Sequence, residues 1–188
     1  MNWEVSLADV LAAAGYRTAA VGKWHLSAAL SATDWYEHPL LVGFEHHWGP
    51  ITNLVEPYDT YDDYDKNVDG TIVRSTEYAT TEQVDDALEL IGSFGSEPWF
   101  VWLAFSAPHK PYHVPPADLV TMPVTPSSSG SDKHRAAIEA MDTEIGRLLR
   151  GIRPAVLART WVVFLADNGS PGDSLEVVSS PAKGTAAE

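Results

Sequence analysis

Apolar residues recur at helical spacing near the start of the chain. Leu7, Val10, Leu11 and Ala14 fall three and four apart, which places them on one face of a helix. Ser6 stands before them as an N-cap, with Asp9 as its capping-box partner, and Gly15 supplies the stop. Tyr16 to Val21 then forms a short strand candidate, followed by the loop Gly22-Lys23-Trp24-His25-Leu26. A second stripe, Val84, Ala87, Leu88 and Ile91, predicts a helix capped at Thr80 or Thr81 and ended by Gly92 and Gly95. Trp99 to Phe105 is a near-continuous apolar run, the pattern of a strand covered on both faces. It stops at Ser106-Ala107-Pro108-His109-Lys110-Pro111. Ile138, Met141, Ile145, Leu148 and Leu149 predict a third helix, with Gly151 after it. Thr160 to Ala166 predicts another buried strand, running into Asp167-Asn168-Gly169.

The stretches between these elements are less regular. Residues 31–70 mix aromatics, prolines and many Asp, with a hairpin predicted from Lys66 to Ser75 turning at Asp69-Gly70. Residues 115–131 are rich in Pro and Ser and read as a surface loop, and Ser170 to Glu188 has weak periodicity. No internal repeat or domain boundary is visible. Helix followed by strand, three times over, predicts an α/β fold: a three-layer sandwich with a mostly parallel central sheet. Sites in such sheets form beyond the carboxyl ends of the strands. The three predicted strand exits carry Lys23 and His25, then His109 and Lys110, then Asp167 and Asn168. Cations, imidazoles and a carboxylate thus gather where a site belongs.

Composition narrows the chemistry. The 188 residues fit one domain, and 45% hydrophobic content supports a real core. A formal net charge of -14 argues against nucleic acid as a partner. It leaves room for a small anionic substrate held by a few placed cations. With 0 cysteines, the chain contains no disulfide, no thiolate metal site and no Cys nucleophile. Met1 to Asp9 lacks the basic start and apolar centre of a signal peptide, and the longest apolar run is far too short for a membrane span. The compartment stays open.

Each candidate residue has a plainer alternative. Asp167 and Asn168 offer a carboxylate and an amide oxygen to a hard cation, Ca²⁺ or Mg²⁺, but Asn-Gly is also an ordinary turn. Lys23 and His25 can share one side of an extended loop and suit an oxyanion, or they can be one exposed Lys and one His bonded to the backbone. His109 sits among prolines that fix the loop path, or is incidental to a Pro-rich turn. His38, His46, His47, His113 and His134 read as surface or loop residues, and no third ligand near His46-His47 has zinc spacing. Asp65 to Gly70 matches the first half of an EF-hand loop, but position twelve is Thr76, so a hairpin turn is the better reading. Asn168-Gly169-Ser170 is formally a glycosylation sequon in a poor setting for a glycan.

Taken together, these motifs resemble the sulfatase family of the alkaline-phosphatase-like superfamily. Gly15-Tyr16-Arg17-Thr18-Ala19-Ala20-Val21-Gly22-Lys23-Trp24-His25-Leu26 resembles the second sulfatase signature over its whole length. Phe105 to Pro111 resembles the family's strand followed by Pro-His-x-Pro, and His134 to Leu149 its helix before the metal strand. Asp167-Asn168-Gly169 resembles the metal motif, and Lys183-Gly184-Thr185 the Lys-Gly-Thr that follows it in many members. The resemblance runs in family order from about residue 6 to the last residue. It implies that Lys23 and His25 contact the sulfate and a catalytic formylglycine. It implies that His109 contacts the sulfate or protonates the leaving oxygen, and that Lys183 binds sulfate. Asp167 and Asn168 would bind Ca²⁺, with Mg²⁺ second. The implied reaction is hydrolysis of a sulfate ester, on a sulfated small molecule or carbohydrate.

The departures from the family pattern are specific. The family's nucleophile is a Cys or Ser in a Cys/Ser-x-Pro-Ser-Arg setting, converted to formylglycine. Ser106-Ala107-Pro108-His109-Lys110 is only superficially similar, because Lys replaces Arg and the segment already fits the His motif. The family's first metal motif, an Asp pair, is also missing, and in family order both would precede residue 1. The chain is therefore expected to be a partial sulfatase catalytic domain, residues 1–188, incomplete at both ends. A complementing chain is a further expected partner. Three readings stay open: a sulfuric ester hydrolase by family, a non-catalytic anion-binding module, and a related phosphoester hydrolase or transferase.

Overall fold

The computed structural model of the chain describes residues 5–27, 32–167 and 169. Its first unit follows the apolar pattern. Helix α1 (Leu7–Ala13) starts at a full capping box, with the Asp9 N–H donating to Ser6 Oγ and the Ser6 N–H to Asp9 Oδ2. These bonds satisfy donors that a helix start otherwise leaves unpaired. Strand β1 (Arg17–Gly22) follows, with Thr18, Ala19, Ala20 and Val21 all buried. Helix α2 (Ala32–Leu41) and strand β2 (His46–Gly49) come next, where the sequence pattern showed irregular chain. Pro39 inside α2 and only four residues in β2 explain why periodicity gave no signal there.

Strands β3 (Tyr64–Val68) and β4 (Thr71–Ser75) form the predicted hairpin, turning at Asp69 and Gly70, both at positive φ. Helix α3 (Ala79–Ser93) starts earlier than predicted. Tyr78 is its N-cap and makes no side-chain cap bond, so Thr80 and Thr81 are inside the helix. Strand β5 (Trp99–Ala104), helix α4 (Gly130–Gly151) and the short α5 (Pro154–Leu157) complete the described order.

The sheet order is β4-β3-β2-β1-β5. Strands β2, β1 and β5 are parallel, and the β3–β4 hairpin adds two antiparallel strands on one edge. The pleat of β1 sends alternate residues to two opposite layers. Ala19 and Val21 meet Ala87, Leu90 and Phe94 of the α3 segment on one side. Ala20 meets Trp24, Ile51, Trp35 and Phe44 on the other. Helix α4 packs on α3 through small residues, with Ala136, Ala137 and Ala140 buried and Ile138 40% exposed. Of the predicted stripe, Met141 and Leu148 pack against the core, while the exposed Ile138 does not share the buried face that the alanines extend. The α/β three-layer expectation holds.

Two expectations about buried strands do not hold. Strand β5 is at the sheet edge, so Trp102 is 47% exposed and the rest of the strand is only partly covered. Thr160 to Ala166 forms no strand, and its side chains lie in solvent, with Trp161 95% and Phe164 75% exposed. An apolar run becomes a buried strand only when neighbours take its backbone groups and cover its faces. Among the described residues, no strand pairs with it.

One charged cluster is buried in this architecture. Lys66 Nζ donates to Glu82 Oε1 at 2.8 Å and to Asp86 Oδ1 at 2.7 Å, while Tyr64 and Ser75 donate to Glu82 Oε2. Burial raises the Asp86 carboxyl to about 6 despite Lys66, and its Oδ2 has no hydrogen-bond partner. Replacing Lys66 with Met strands both carboxylates. The variant is expected to lose about 3–5 kcal/mol in urea unfolding at pH 7. The exposed run gives a second outcome: wild type binds the dye ANS, and a Val163→Ser, Phe164→Ser variant binds less with an unchanged melting temperature.

Candidate active site

Strands β1 and β5 run parallel in six-residue register, so their exit loops leave the same end of the sheet side by side. The Lys23 N–H donates to the Ala104 carbonyl at 2.8 Å, which ties the two exits together. Gly22, at φ +87, makes this approach possible, because a Cβ there would stand 2.1 Å from the Ala104 carbonyl oxygen. On the other side, the Trp24 N–H donates to Pro50 O at 3.1 Å and the His25 N–H to Ile51 O at 2.7 Å. The loop after β1 is thus clamped between the exits of β5 and β2.

Within this loop the side chains alternate. Trp24 is 8% exposed and donates from Nε1 to His38 Nδ1 at 3.0 Å, while His25 and Leu26 face solvent and Lys23 is half-buried. Trp24 is the anchor that fixes the loop, and Lys23 and His25 are what it presents. His25 has φ 54, a conformation that costs a non-glycine residue of order 1–3 kcal/mol. His109 is exposed on the β5 exit loop, with Nδ1 2.9 Å from the Lys110 carbonyl. Sequence and structure therefore agree that Lys23, His25 and His109 share one end of the sheet.

The third expected contributor does not join them as a strand end. Asp167 is exposed on the unpaired run that follows residue 160. Asn168 and Lys183 lie outside the described residues. Among the described residues, no group of three His, Cys, Asp or Glu side chains could hold a metal ion. A calcium site needs about six to eight oxygens. The described residues alone do not fit that cage.

His47 is the residue that sequence reasoning placed wrongly. It is fully buried, not a loop residue. Asn67 Nδ2 donates to its Nδ1 at 2.8 Å, so its Nε2 carries the proton and faces the Gly22 carbonyl at 3.2 Å. The neutral ring braces the residue from which the Lys23 loop departs. Its position in β2, pointing the opposite way from His46, was the available signal, but β2 was too short to recognise. His134 is also buried, at 5% exposure, and His38 and His113 are bonded within the interior rather than loose on the surface.

A cleft of about 180 Å³ lies beside the Lys23 loop, next to the Pro50 and Ile51 carbonyls that hold it. Trp35 and Tyr36 line it together with Thr52, Asn53, Asp59 and Asp65. The Asn53 Oδ1 is buried without a hydrogen-bond partner.

The sulfatase family model matches residues 1–187. This chain belongs to the sulfatase family. It is 25% identical to an uncharacterized sulfatase, YdeN, of Escherichia coli, over 96% of this chain and 36% of that protein. It is 28% identical to human N-acetylgalactosamine-6-sulfatase, over 96% of this chain and 34% of the relative. The chain thus spans about a third of the length of the curated relatives it matches. Among solved structures, Ps i-CgsB in complex with k-i-k-neocarrahexaose superimposes with a TM-score of 0.60 at 21% identity, covering 77% of this chain and 35% of that one. A structure described for Bacteroides thetaiotaomicron metabolism of multiple glycosaminoglycans gives 0.65 at 19% identity, over 90% and 46%. At such identities the likeness shows the fold, which is that of sulfatases.

The buried His47 of this sulfatase-family chain makes its stability depend on pH. Burial lowers its pKa to about 4, and the Gly22 carbonyl only partly offsets that. An unfolded imidazole holds its proton up to about pH 6.5, so unfolding takes up a proton between those values. The His47 contribution is complete above pH 6.5 and is lost as pH falls towards 4, by about 3 kcal/mol. Asp86 acts in the opposite sense, since its raised carboxyl pKa favours the fold as pH drops below 6. Urea unfolding at pH 7 and 4.5 is expected to show His47→Gln losing less stability on acidification than wild type, by about 2–3 kcal/mol.

Proposed function

We propose that this chain carries the sulfate-contacting part of a sulfuric ester hydrolase. The observation that carries this reading is the pairing of the β1 and β5 exits, which brings the Lys23-Trp24-His25 loop beside the His109 loop. In this proposal the Lys23 ammonium balances charge on the sulfate oxygens. His25 contacts the sulfate, and His109 donates a proton to the departing ester oxygen. Lys183 adds a second cation, and Asp167 and Asn168 supply two oxygen ligands to Ca²⁺. The remaining ligands and the formylglycine come from sulfatase sequence outside these 188 residues.

The proposed substrate is a sulfated carbohydrate. The cleft beside the Lys23 loop pairs aromatic faces with amide, hydroxyl and carboxylate groups, a combination that suits sugar rings and their hydroxyls. Ps i-CgsB, with the same fold, was solved in complex with k-i-k-neocarrahexaose. A complementing polypeptide is part of the proposal, because among the described residues β5 keeps an open edge and residues 161–165 keep an apolar surface in water. Among the described residues, no helix is long and apolar enough to cross a membrane.

A second reading is favoured by one fact. The chain has 0 cysteines, so it holds no Cys precursor of formylglycine. By itself it then acts as an anion-binding module. An aryl sulfate assay of the 188-residue chain with Ca²⁺ is expected to show no turnover above background. Calorimetry is expected to show sulfate binding weakened at least tenfold in Lys23→Ala. Turnover would mean that this chain supplies its own nucleophile, and equal sulfate affinity in the variant would remove Lys23 from the site.

A further inference from the structure

The loop that presents His109 is held from beneath by two side chains for which neither the sequence pattern nor the family reading gives a role. Tyr61 is 1% exposed, and its hydroxyl lies 2.7 Å from the Ser106 carbonyl and 2.9 Å from the His109 carbonyl. One O–H proton is thus shared between the two ends of the turn. The His109 N–H closes the same turn by donating to Ser106 O at 3.1 Å. Gln83 is fully buried and grips Ser106 twice, donating from Nε2 to Ser106 Oγ at 2.9 Å and accepting the Ser106 N–H at Oε1 at 3.3 Å. Its amide nitrogen also lies 3.3 Å from where a Cβ on Gly22 would stand, so Gln83 sits between both strand exits.

Tyr61 is itself fixed. Its ring stacks on His113 with centroids 3.7 Å apart, and the His113 Nε2 is 2.9 Å from the Tyr78 hydroxyl. The His113 Nδ1 faces the Pro111 carbonyl at 3.2 Å, which makes Nδ1 the protonated nitrogen and leaves Nε2 to accept from Tyr78. Burial lowers the His113 pKa and raises that of Tyr61 far above its ordinary value, so the ring stays neutral and the phenol keeps its proton. The backbone of Tyr61 is tied to α3, because its carbonyl accepts the Ala79 N–H at 2.7 Å. Gln83 stands one turn further along that helix. Both braces therefore root in the start of α3.

A tyrosine buried only for its ring would leave its hydroxyl to be paired somewhere, at a cost if it were not. Here the hydroxyl is directed at two carbonyls of the loop that carries the candidate imidazole of His109. We propose that Tyr61 and Gln83 are positioning residues, which fix where His109 stands relative to Lys23 across the paired strand exits. The proposal rests on the sulfate-site reading only for its consequence on ligand binding, not for the positioning itself.

Tyr61→Phe keeps the ring and its stack on His113 and removes only the hydroxyl. Ser106→Ala is a milder second variant that removes the acceptor of Gln83. The readout is the His109 imidazole signal in proton–carbon NMR of the full 188-residue chain, assigned with His109→Ala and followed through a pH titration. A sulfate titration accompanies it. In both variants the His109 signal is expected to move and broaden while the His25 signal stays in place. Sulfate binding is expected to weaken about five- to tenfold, with melting temperatures near that of wild type. An unchanged His109 position, width and titration in either folded variant overturns the proposal. If wild type binds no sulfate, the site reading fails instead, and the His109 signal still decides whether Tyr61 and Gln83 position it.

Discussion

The parallel pairing of β1 with β5 on one side and β2 on the other is the constraint on which the site depends. Arg17 to Gly22 match Trp99 to Ala104 residue for residue, and Ala19 to Val21 match His46 to Trp48. Backbone bonds in these ladders set where three loops leave the sheet. Gly22 and Gly49 then let those loops pinch together, since a Cβ on Gly49 would stand 2.3 Å from the Gly22 carbonyl oxygen. The loops of Lys23, His25 and His109 leave the same end of the sheet because the strands beneath them cannot slide: a shift of one residue would turn every buried alanine of β1 to the wrong layer.

Much of this was legible in the sequence. The capping box at Ser6 and Asp9, the glycine-ended β1, the Asp69-Gly70 hairpin and the Lys23 loop each carry a local signal, and each is where that signal puts it. What could not be read depends on tertiary context. Helix α2 is interrupted by Pro39, and β2 is too short to show a period. His47 looked no different from His46, yet the pleat buries one and half-exposes the other. The run at 160–166 has the composition of a buried strand without partners to bury it, and β5 has such partners on only one side. A hydrophobic run records what a segment can do when neighbours are present, not whether they are.

The net charge of -14 is partly balanced by local ion pairs around the hairpin. The carboxylates near the hairpin are occupied locally: Arg74 bridges Asp59, Asp63 and Asp65, and Lys66 holds Glu82 and Asp86. Histidines close to the strand exits are kept neutral by burial, as His47 and His113 are. The half-buried cation Lys23 stands on the β1 exit loop, where exposed charges more than about 8 Å away are largely screened at physiological salt.

The two margins of the sheet differ in kind. At the β4 margin Arg74 bridges Asp59 and Asp63, which precede β3, and Asp65 of β3, and charge of this sort discourages another strand from docking. At β5 the strand holds no charged residue: Trp99, Val101 and Leu103 pack against the α3 layer, and Trp102 is 47% exposed. Among the described residues, the β5 edge is open and uncharged while the β4 edge is charged, so the β5 edge is the better template for a further strand.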